Sequence, residues 1–327
     1  MPSLADYYGE ARGFPQNTKC RGTVSDLAGF FKETSYWLRS WWLSNITATD
    51  YGKPPLFWDG EGVATTGTTC FIIESWQPRP AVYHDSTRSI NVYTNAPGVR
   101  LVLNGSPIGT HQPVEFFGQA TFSGISYAPG NLTAECVSSS GATLASHSVQ
   151  TQVGAASGLV LSLDSPSAAT GTGTHVVADG EDVALVRATL VDAAGNFAYN
   201  ASDNVTFTVL SGPGKIWTTH NGDPANDSPR DVAWAPGYHG LVRAIVRTSI
   251  DAATPAWHRR RLLEIDVDSG RQSSTRVFGG EAAAAAAATG DIVLQAEVVG
   301  APHIAPVQLT IPVSVSLDHL PANVAAV

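Results

Sequence analysis

Alternation of apolar and polar positions with a period of two dominates the chain from about residue 69 to residue 153. Residues 90–94 and 99–103 show it most clearly, and further segments follow at 121–127, 132–137 and 143–149. Turn sequences separate them, including residues 95–98 and the Asn104-Gly105 pair. Because successive side chains of a strand point to opposite faces, this pattern predicts an antiparallel β-sandwich over 69–153.

The alternation returns from about residue 157. Predicted strands lie at 159–163, 183–191, 204–209, 241–246, 291–298 and 307–313. An immunoglobulin-like sandwich needs about seven strands in about 100 residues, so residues 157–315 are predicted to form a second sandwich. Residues 251–289, with an arginine run and an alanine tract, break the pattern and are interpreted as an insertion; residues 316–327 are interpreted as a tail.

The first 45 residues follow a different pattern. Tyr7 and Tyr8 are typical of the end of a strand. The apolar residues between 27 and 42 are spaced so that they would form one face of a helix. Residues 46–68 are rich in Gly, Thr and Pro and are interpreted as a linker. The predicted fold class is therefore mostly β, with two antiparallel sandwiches after a short strand–helix segment.

The composition and the net charge of the chain exclude some classes of function. The chain is 43% apolar and 14% charged with a net charge of −9, which is typical of a globular chain with a buried core. Nucleic acid is not an expected partner, because phosphate binding needs a sustained basic surface. No apolar run approaches the roughly 18 residues that indicate a membrane span, and no signal peptide is visible.

The cysteine and asparagine residues give information about the cellular compartment in which the protein is located. Cys20, Cys70 and Cys136 fit no zinc spacing and are expected to be buried free thiols, with a Cys20–Cys70 pair as the alternative. Asn-x-Ser/Thr triplets occur at six of the twelve asparagines, which favours a secretory route. Turn formation also enriches these residue types, so a secreted and a cytoplasmic location both stay open.

Motifs at the start of the chain resemble a known enzyme family. Residues 6–10 (Asp-Tyr-Tyr-Gly-Glu), residues 26–30 (Asp-Leu-Ala-Gly-Phe) and the Tyr36…Ser40-Trp41 pattern resemble the last strand and last helix of the (β/α)₈ barrel in β-galactosidase-type family 2 glycoside hydrolases. The sequence departs from that pattern at Tyr8, Phe31 and Glu33, where the family usually has Leu, Pro and Asp.

Later motifs follow in the order of that family's C-terminal domains. Residues 90–96, 101–105 and 127–132 resemble the sheet domain that follows the barrel. Residues 178–182, 192–196, 212–214 and 221–224 resemble the terminal invasin-like domain. The ordered series covers roughly residues 6–250.

The resemblance implies that residues 1–45 are the end of a catalytic barrel, which as a whole needs roughly 250 residues. Retaining glycosidases use two carboxylates, and in this family both are glutamates on earlier barrel strands. We therefore expect no catalytic residue and no cofactor in this chain, and no turnover from it alone. The implied partners are a β-galactoside-like carbohydrate in the parent enzyme and the remainder of the barrel.

Four residues are the candidate substrate contacts. The resemblance places Tyr8 and Glu10 at the catalytic mouth of the barrel, and Trp58 and Trp76 are tryptophans near it whose rings could stack on a sugar. Ser75 stands where the family usually has His before that Trp. Glu74 is expected to be an exposed strand carboxylate.

A metal site is not expected. Oxygen-rich residues occur in the predicted loops, but turn formation explains them without calcium: Asp192, Asn196, Asn221, Asp223 and Asp227.

Two other hypotheses remain at this point. The chain could be a non-catalytic carbohydrate-binding or adhesion module made of two sandwiches, or a subunit that completes a barrel supplied by another chain. Residues 1–45 are expected to be the part least protected from hydrogen exchange, unless they pack on the first sandwich or on another subunit.

Overall fold

The computed structural model describes residues 7–8, 18–19, 23–42, 67–79, 87–111, 119–168, 172–229, 231–249 and 290–314. The chain divides into two compact units, Met1–Val153 and Gly154–Val327. Each has its own hydrophobic core. The predicted fold class, mostly β with antiparallel sheets, is confirmed.

The first unit contains nine described strands and one described helix. They are β1 (Tyr7–Tyr8), β2 (Thr18–Lys19), α1 (Glu33–Trp42), β3 (Cys70–Ile72), β4 (Thr87–Thr94), β5 (Gly98–Leu103), β6 (Ser106–His111), β7 (Gln119–Ser126), β8 (Asn131–Val137) and β9 (Thr143–Gln150). Strands β1 and β2 pair with each other. The others form a three-stranded sheet, β3-β4-β7, and a four-stranded sheet, β6-β5-β8-β9, and every pairing is antiparallel.

A single buried cluster joins these two sheets. Ile72, Ile90 and Val92 come from the three-stranded sheet, and Leu101 and Leu132 come from the four-stranded one. Each is at most 1% exposed. Full burial of such a side chain contributes roughly 1.5–3 kcal/mol, so the apolar positions of the alternating pattern provide the core.

A disulfide also connects the two sheets. Cys70 on β3 and Cys136 on β8 are bonded, with 5.8 Å between their Cα atoms. The prediction of buried free thiols is therefore wrong for these two residues, and Cys70 does not pair with Cys20, which lies outside the described residues. The two partners are 66 residues apart, and only the packing of one sheet on the other brings them together.

His147 of β9 makes a second link between the sheets. The backbone N–H of Ile72 donates to His147 Nδ1 at 3.0 Å, and the imidazole lies 4.7 Å from the ring of Phe71. Burial lowers the pKa of His147 below its usual value. Only an unprotonated Nδ1 can accept this hydrogen bond, so the neutral imidazole is the form that the fold selects.

The second unit contains ten described strands. They are β10 (Gly158–Ser165), β11 (Val176–Val177), β12 (Val183–Val191), β13 (Asn204–Ser211), β14 (Gly214–His220), β15 (Trp234–Pro236), β16 (Leu241–Thr248), β17 (Ile292–Val298), β18 (Val307–Ile311) and β19 (Val313–Ser314). Two four-stranded antiparallel sheets, β10-β12-β16-β14 and β15-β13-β17-β18, share one buried core, and β11 pairs with β19 in parallel. Residues 251–289, the predicted insertion, lie outside the described residues, and β17 follows them as a central strand between β13 and β18.

A cluster of charges lies on the sheet that contains β10, β12 and β16. The Asp164 carboxylate contacts the guanidinium groups of both Arg187 and Arg243, with N–O distances of 2.8 Å. The Arg243 side chain is only 2% exposed, whereas that of Asp164 is 27% exposed. A buried cation depends on its counter-charge, so Asp164 is the residue through which this cluster can be tested.

We expect Asp164→Asn to lower the free energy of unfolding by roughly 2–4 kcal/mol, because it removes the anion shared by a buried and a half-buried arginine. The matched control is Glu181→Gln. Glu181 pairs with Arg247 in the same unit but is 61% exposed, and such a pair contributes at most about 1 kcal/mol. Urea unfolding of both variants checks this, and equal losses would contradict the importance of Arg243 burial.

The stability of the chain should fall as pH drops from 7.5 towards 5.5. The folded state resists protonation of His147 while the unfolded state takes up the proton near the ordinary histidine pKa, so the unfolded state binds more protons in this window. The contribution is at most about 1.4 kcal/mol per pH unit, since one proton is involved.

Replacing His147 by Asn keeps an acceptor for the Ile72 N–H and removes the titration. Urea unfolding of both proteins across the same pH range isolates His147 from the other eight histidines. Identical pH dependence in the two proteins would show that His147 does not contribute.

Candidate functional site

The segment that resembles the end of a barrel has a compact local structure between residues 23 and 42. The Asp26 carboxylate accepts hydrogen bonds from the backbone N–H groups of Ala28 and Phe30, at 2.8 and 2.9 Å. Lys32 Nζ donates to Thr23 Oγ1 at 2.9 Å, which ties the two sides of the turn together. The Asp-Leu-Ala-Gly-Phe motif therefore forms a capped turn that leads directly into α1.

Helix α1 packs against the three-stranded sheet of the first unit. The ring of Tyr36 stacks on that of Phe71, with centroids 3.7 Å apart and planes within 4°. Phe71 alternates along β3 with Cys70 and Ile72, which belong to the inter-sheet core. Phe71 therefore packs against the helix on the side of β3 opposite to Cys70 and Ile72, and at the sheet edge its ring also contacts His147 of the four-stranded sheet.

The same outer face carries a polar network. Both carboxylate oxygens of Glu74 accept hydrogen bonds from Asn91, one from the backbone N–H at 2.7 Å and one from Nδ2 at 2.6 Å. Asn91 Oδ1 in turn accepts from Gln119 and Thr121. The expectation of an exposed strand carboxylate at Glu74 is therefore wrong: the residue is half-buried, lies after β3 and holds β4 in place.

Tyr93 lies opposite Phe71 in the β3–β4 register. Burial, followed by the carboxylates of Glu33 and Glu74, raises the pKa of Tyr93. The phenol is accordingly neutral at physiological pH and can only act as a hydrogen-bonding or stacking group. The amino-acid pattern alone does not identify Tyr93 as part of this site, because only the folded chain brings α1 close to it.

Trp76 lies in the core of the first unit and is 0% exposed. Its indole N–H donates to the carbonyl of Ala128 at 2.9 Å, and its ring lies 5.1 Å from both the Tyr127 ring and the Arg88 guanidinium carbon. Burial and the nearby Arg79 lower the pKa of Arg88, which nevertheless stays charged at neutral pH. In this structure Trp76 packs the core and shows no open ring face to a sugar.

The other candidate contacts are not brought together by the described residues. The structure describes the backbone of Tyr8, whose strand β1 pairs with β2, and Glu10 and Trp58 lie outside the described residues. Their roles in substrate binding stay predictions.

The oxygen-rich loop residues of the second unit stabilise, by hydrogen bonds, the loops in which they lie. Asp192 Oδ1 accepts from the backbone N–H groups of Ala194 and Asn196, both at 2.9 Å. Asn221 donates to the carbonyl of Pro236 and accepts from the backbone N–H of Asp223. Across the described ranges, no group of three or more His, Cys, Asp or Glu side chains is arranged to hold a metal ion. None of the helices there is long and apolar enough to cross a membrane.

Two family models match the chain. Residues 168–254 match glycoside hydrolase family 2 C-terminal domain 5, and residues 86–145 match a domain of unknown function, DUF4982. The first match covers β11 to β16 of the second unit, and the second covers most of the first sandwich. A search of curated proteins finds no match.

Solved structures share the fold over most of the chain. A β-glycosidase from Bacteroides vulgatus is 17% identical with a TM-score of 0.64, over 95% of this chain and 30% of its own. A glycosyl hydrolase family 2 member from Bacteroides cellulosilyticus DSM 14838 is 18% identical with a TM-score of 0.57, over 94% of this chain and 33% of its own. A family 2 β-glucuronidase is 20% identical with a TM-score of 0.50, over 79% of this chain and 22% of its own.

The chain spans about a third of the length of the first two structures. At these identities the structural likeness shows the fold, and the domain model matches residues 168–254 to a glycoside hydrolase family 2 C-terminal domain. Together they confirm that the chain resembles the C-terminal region of a glycoside hydrolase family 2 enzyme.

Proposed function

We propose that this chain is the C-terminal, non-catalytic part of a β-galactosidase-like family 2 glycoside hydrolase. In this proposal residues 1–45 complete the catalytic barrel, and the two sandwiches support it from outside. The observation that carries the proposal is the Tyr36–Phe71 stack, because it joins the barrel-like segment to the first sandwich through a close aromatic contact.

The chemistry of the parent enzyme defines what this chain would contribute. Hydrolysis with retention needs a nucleophilic carboxylate and an acid/base carboxylate about 5–5.5 Å apart. Both are proposed to lie on barrel strands that are not part of this sequence. Tyr8 and Glu10 would line the substrate side of the barrel mouth, where residues that follow barrel strands contact the sugar.

The β-galactoside preference rests on the motif resemblance alone. The names of the similar structures include a β-glycosidase and a β-glucuronidase, so the assay must separate sugar classes. The purified chain should hydrolyse none of the nitrophenyl β-galactoside, β-glucoside and β-glucuronide substrates. Turnover that persists through purification and disappears in Glu10→Gln would overturn the proposal of a non-catalytic part.

A carbohydrate-binding or adhesion module is the competing function, and calorimetry distinguishes it. Titration of the chain with galactose, lactose and glucuronate should show no saturable heat if the sugar site needs the rest of the barrel. Saturable binding by the isolated chain would favour the module.

The Tyr36–Phe71 stack gives a further prediction for the N-terminal segment. Aromatic pairs contribute about 0.5–1.5 kcal/mol beyond their area burial, and removing a large ring also exposes the helix face. Phe71→Leu should therefore speed amide exchange in α1 by about tenfold, since 1.4 kcal/mol corresponds to that factor.

Hydrogen exchange with mass spectrometry measures this effect. The control variant is Phe207→Leu, in the core of the second unit, which should leave exchange in α1 unchanged. Equal protection of α1 in the Phe71 variant and the parent chain would show that the stack does not hold the segment.

A further inference from the structure

The six Asn-x-Ser/Thr triplets are not equivalent in the folded chain. Five of the acceptor asparagines lie among the described residues: Asn104, Asn131, Asn200, Asn204 and Asn226. For four of the five, Asn104, Asn131, Asn204 and Asn226, exposure and hydrogen bonding separate the acceptors that a glycan could occupy from those whose amide has a structural role.

Asn131 and Asn204 share one geometry. Each is exposed and begins a strand, and the middle residue of its triplet, Leu132 or Val205, is 0% exposed in a core. Because side chains alternate across a strand, the Asn and the Thr of both triplets point to the outer face. Neither Asn side chain has a hydrogen-bond partner among the described residues, so each amide is directed to solvent with no structural task.

Asn104 has the opposite arrangement. Its Nδ2 donates to the carbonyl of Pro129 at 2.9 Å, and its Oδ1 accepts from the backbone N–H of Asn131 at 2.8 Å. Its amide also lies so close to Gly130 that a Cβ there would overlap it. Asn104 therefore joins the β5–β6 hairpin to the turn before β8, and a sugar on Nδ2 would have no room.

Asn226 also uses its side chain internally. Its Oδ1 accepts from the backbone N–H of Ser228, the third residue of its own triplet, at 3.0 Å. This bond is the kind of local turn that enriches Asn and Ser pairs without any modification.

The Cys70–Cys136 disulfide is an independent observation on the compartment. Disulfides form and persist in oxidising environments such as the lumen of the secretory pathway and are rare in the cytosol of mesophiles. The enzyme that modifies Asn-x-Ser/Thr triplets works in that same lumen in eukaryotes. Two unrelated residue types thus point to one route for this chain.

We propose that Asn131 and Asn204 carry N-linked glycans, attached as the chain enters an oxidising secretory compartment. In the transfer, Nδ2 of each Asn attacks C1 of the first sugar of a lipid-linked oligosaccharide pyrophosphate. The N–C1 bond forms, the bond from C1 to the pyrophosphate oxygen breaks, the amide loses one proton and the lipid pyrophosphate leaves. A glycan on Asn104 would remove its hydrogen bonds to residues 129 and 131, so only chains that are unmodified at Asn104 reach the folded state.

The test is secretion of the full 327-residue chain from a eukaryotic cell, behind a cleavable leader. Peptide-N-glycosidase in ¹⁸O water marks each occupied Asn as ¹⁸O-labelled Asp, and mass spectrometry reports occupancy at each triplet. The same digest without reduction reports the Cys70–Cys136 peptide. If the chain is retained in the cell, the same measurement applies to the membrane-enclosed fraction.

Paired variants separate the triplet from effects on folding. Asn131→Gln and Thr133→Ala should each remove one glycan, whereas Thr133→Ser should keep it, because Ser also completes the acceptor triplet. Asn204→Gln, Thr206→Ala and Thr206→Ser should behave in the same way in the second unit. Both sites lie on outer faces, so enzymatic removal of the glycans should leave the thermal midpoint unchanged.

Occupancy at Asn131 and Asn204, with Asn104 unmodified and the disulfide formed, supports the proposal. Unmodified Asn131 or Asn204 in chains that contain the Cys70–Cys136 disulfide overturns the assignment for that residue. Occupancy of Asn104 equal to that of the other two would overturn the structural argument by which they were selected.

Discussion

The packing of the three-stranded sheet on both of its faces is the constraint on which the first unit depends. On one face, Ile72, Ile90 and Val92 are buried against the four-stranded sheet, and Cys70 is bonded across to Cys136. On the other face, Phe71 receives Tyr36 of α1. A strand only three residues long can take part in both contacts because successive side chains point to opposite faces. The barrel-like segment therefore contacts the sandwich through β3 and its neighbour β4.

The sequence predicts all the central strands of both sandwiches but only some of the edge strands: β7, β9, β10 and β18 are predicted, and other edge strands are missed. The strands predicted at 183–191 and 291–298 are observed as Val183–Val191 and Ile292–Val298, where burial on one face imposes a clear alternation. Strand β6, which carries Pro107 and is largely exposed, was not predicted, and neither were β14 and β15. All three lie at sheet edges. Strand β6 is bonded to one neighbour and is exposed on both faces over most of its length, so burial does not impose the two-residue period on its sequence.

The candidate site shows a different limit of sequence reasoning. Trp76 is predicted to stack on a sugar because it lies near the barrel-like segment, yet it is buried in a core, with Tyr127 and Arg88 beside its ring. Glu74, predicted to be an exposed carboxylate, instead accepts hydrogen bonds from the backbone and the side chain of Asn91. In both cases the deciding partner lies at least 12 residues away along the chain, and pairing across a sheet is not encoded in local spacing. The disulfide escaped prediction for the same reason.

The hydrogen bonds of Asn104 have a consequence for how related sequences can change. Residue 130 has a backbone φ of 132°, and its Cα faces the Asn104 amide so closely that no side chain fits there. The amide in turn needs the carbonyl of Pro129 and the N–H of Asn131 in their present positions. Neither residue can therefore be replaced without affecting the other. In an alignment of relatives, Asn104 and Gly130 should therefore be retained together or lost together. Relatives that have lost both residues should connect the β5–β6 hairpin to the turn before β8 through other contacts.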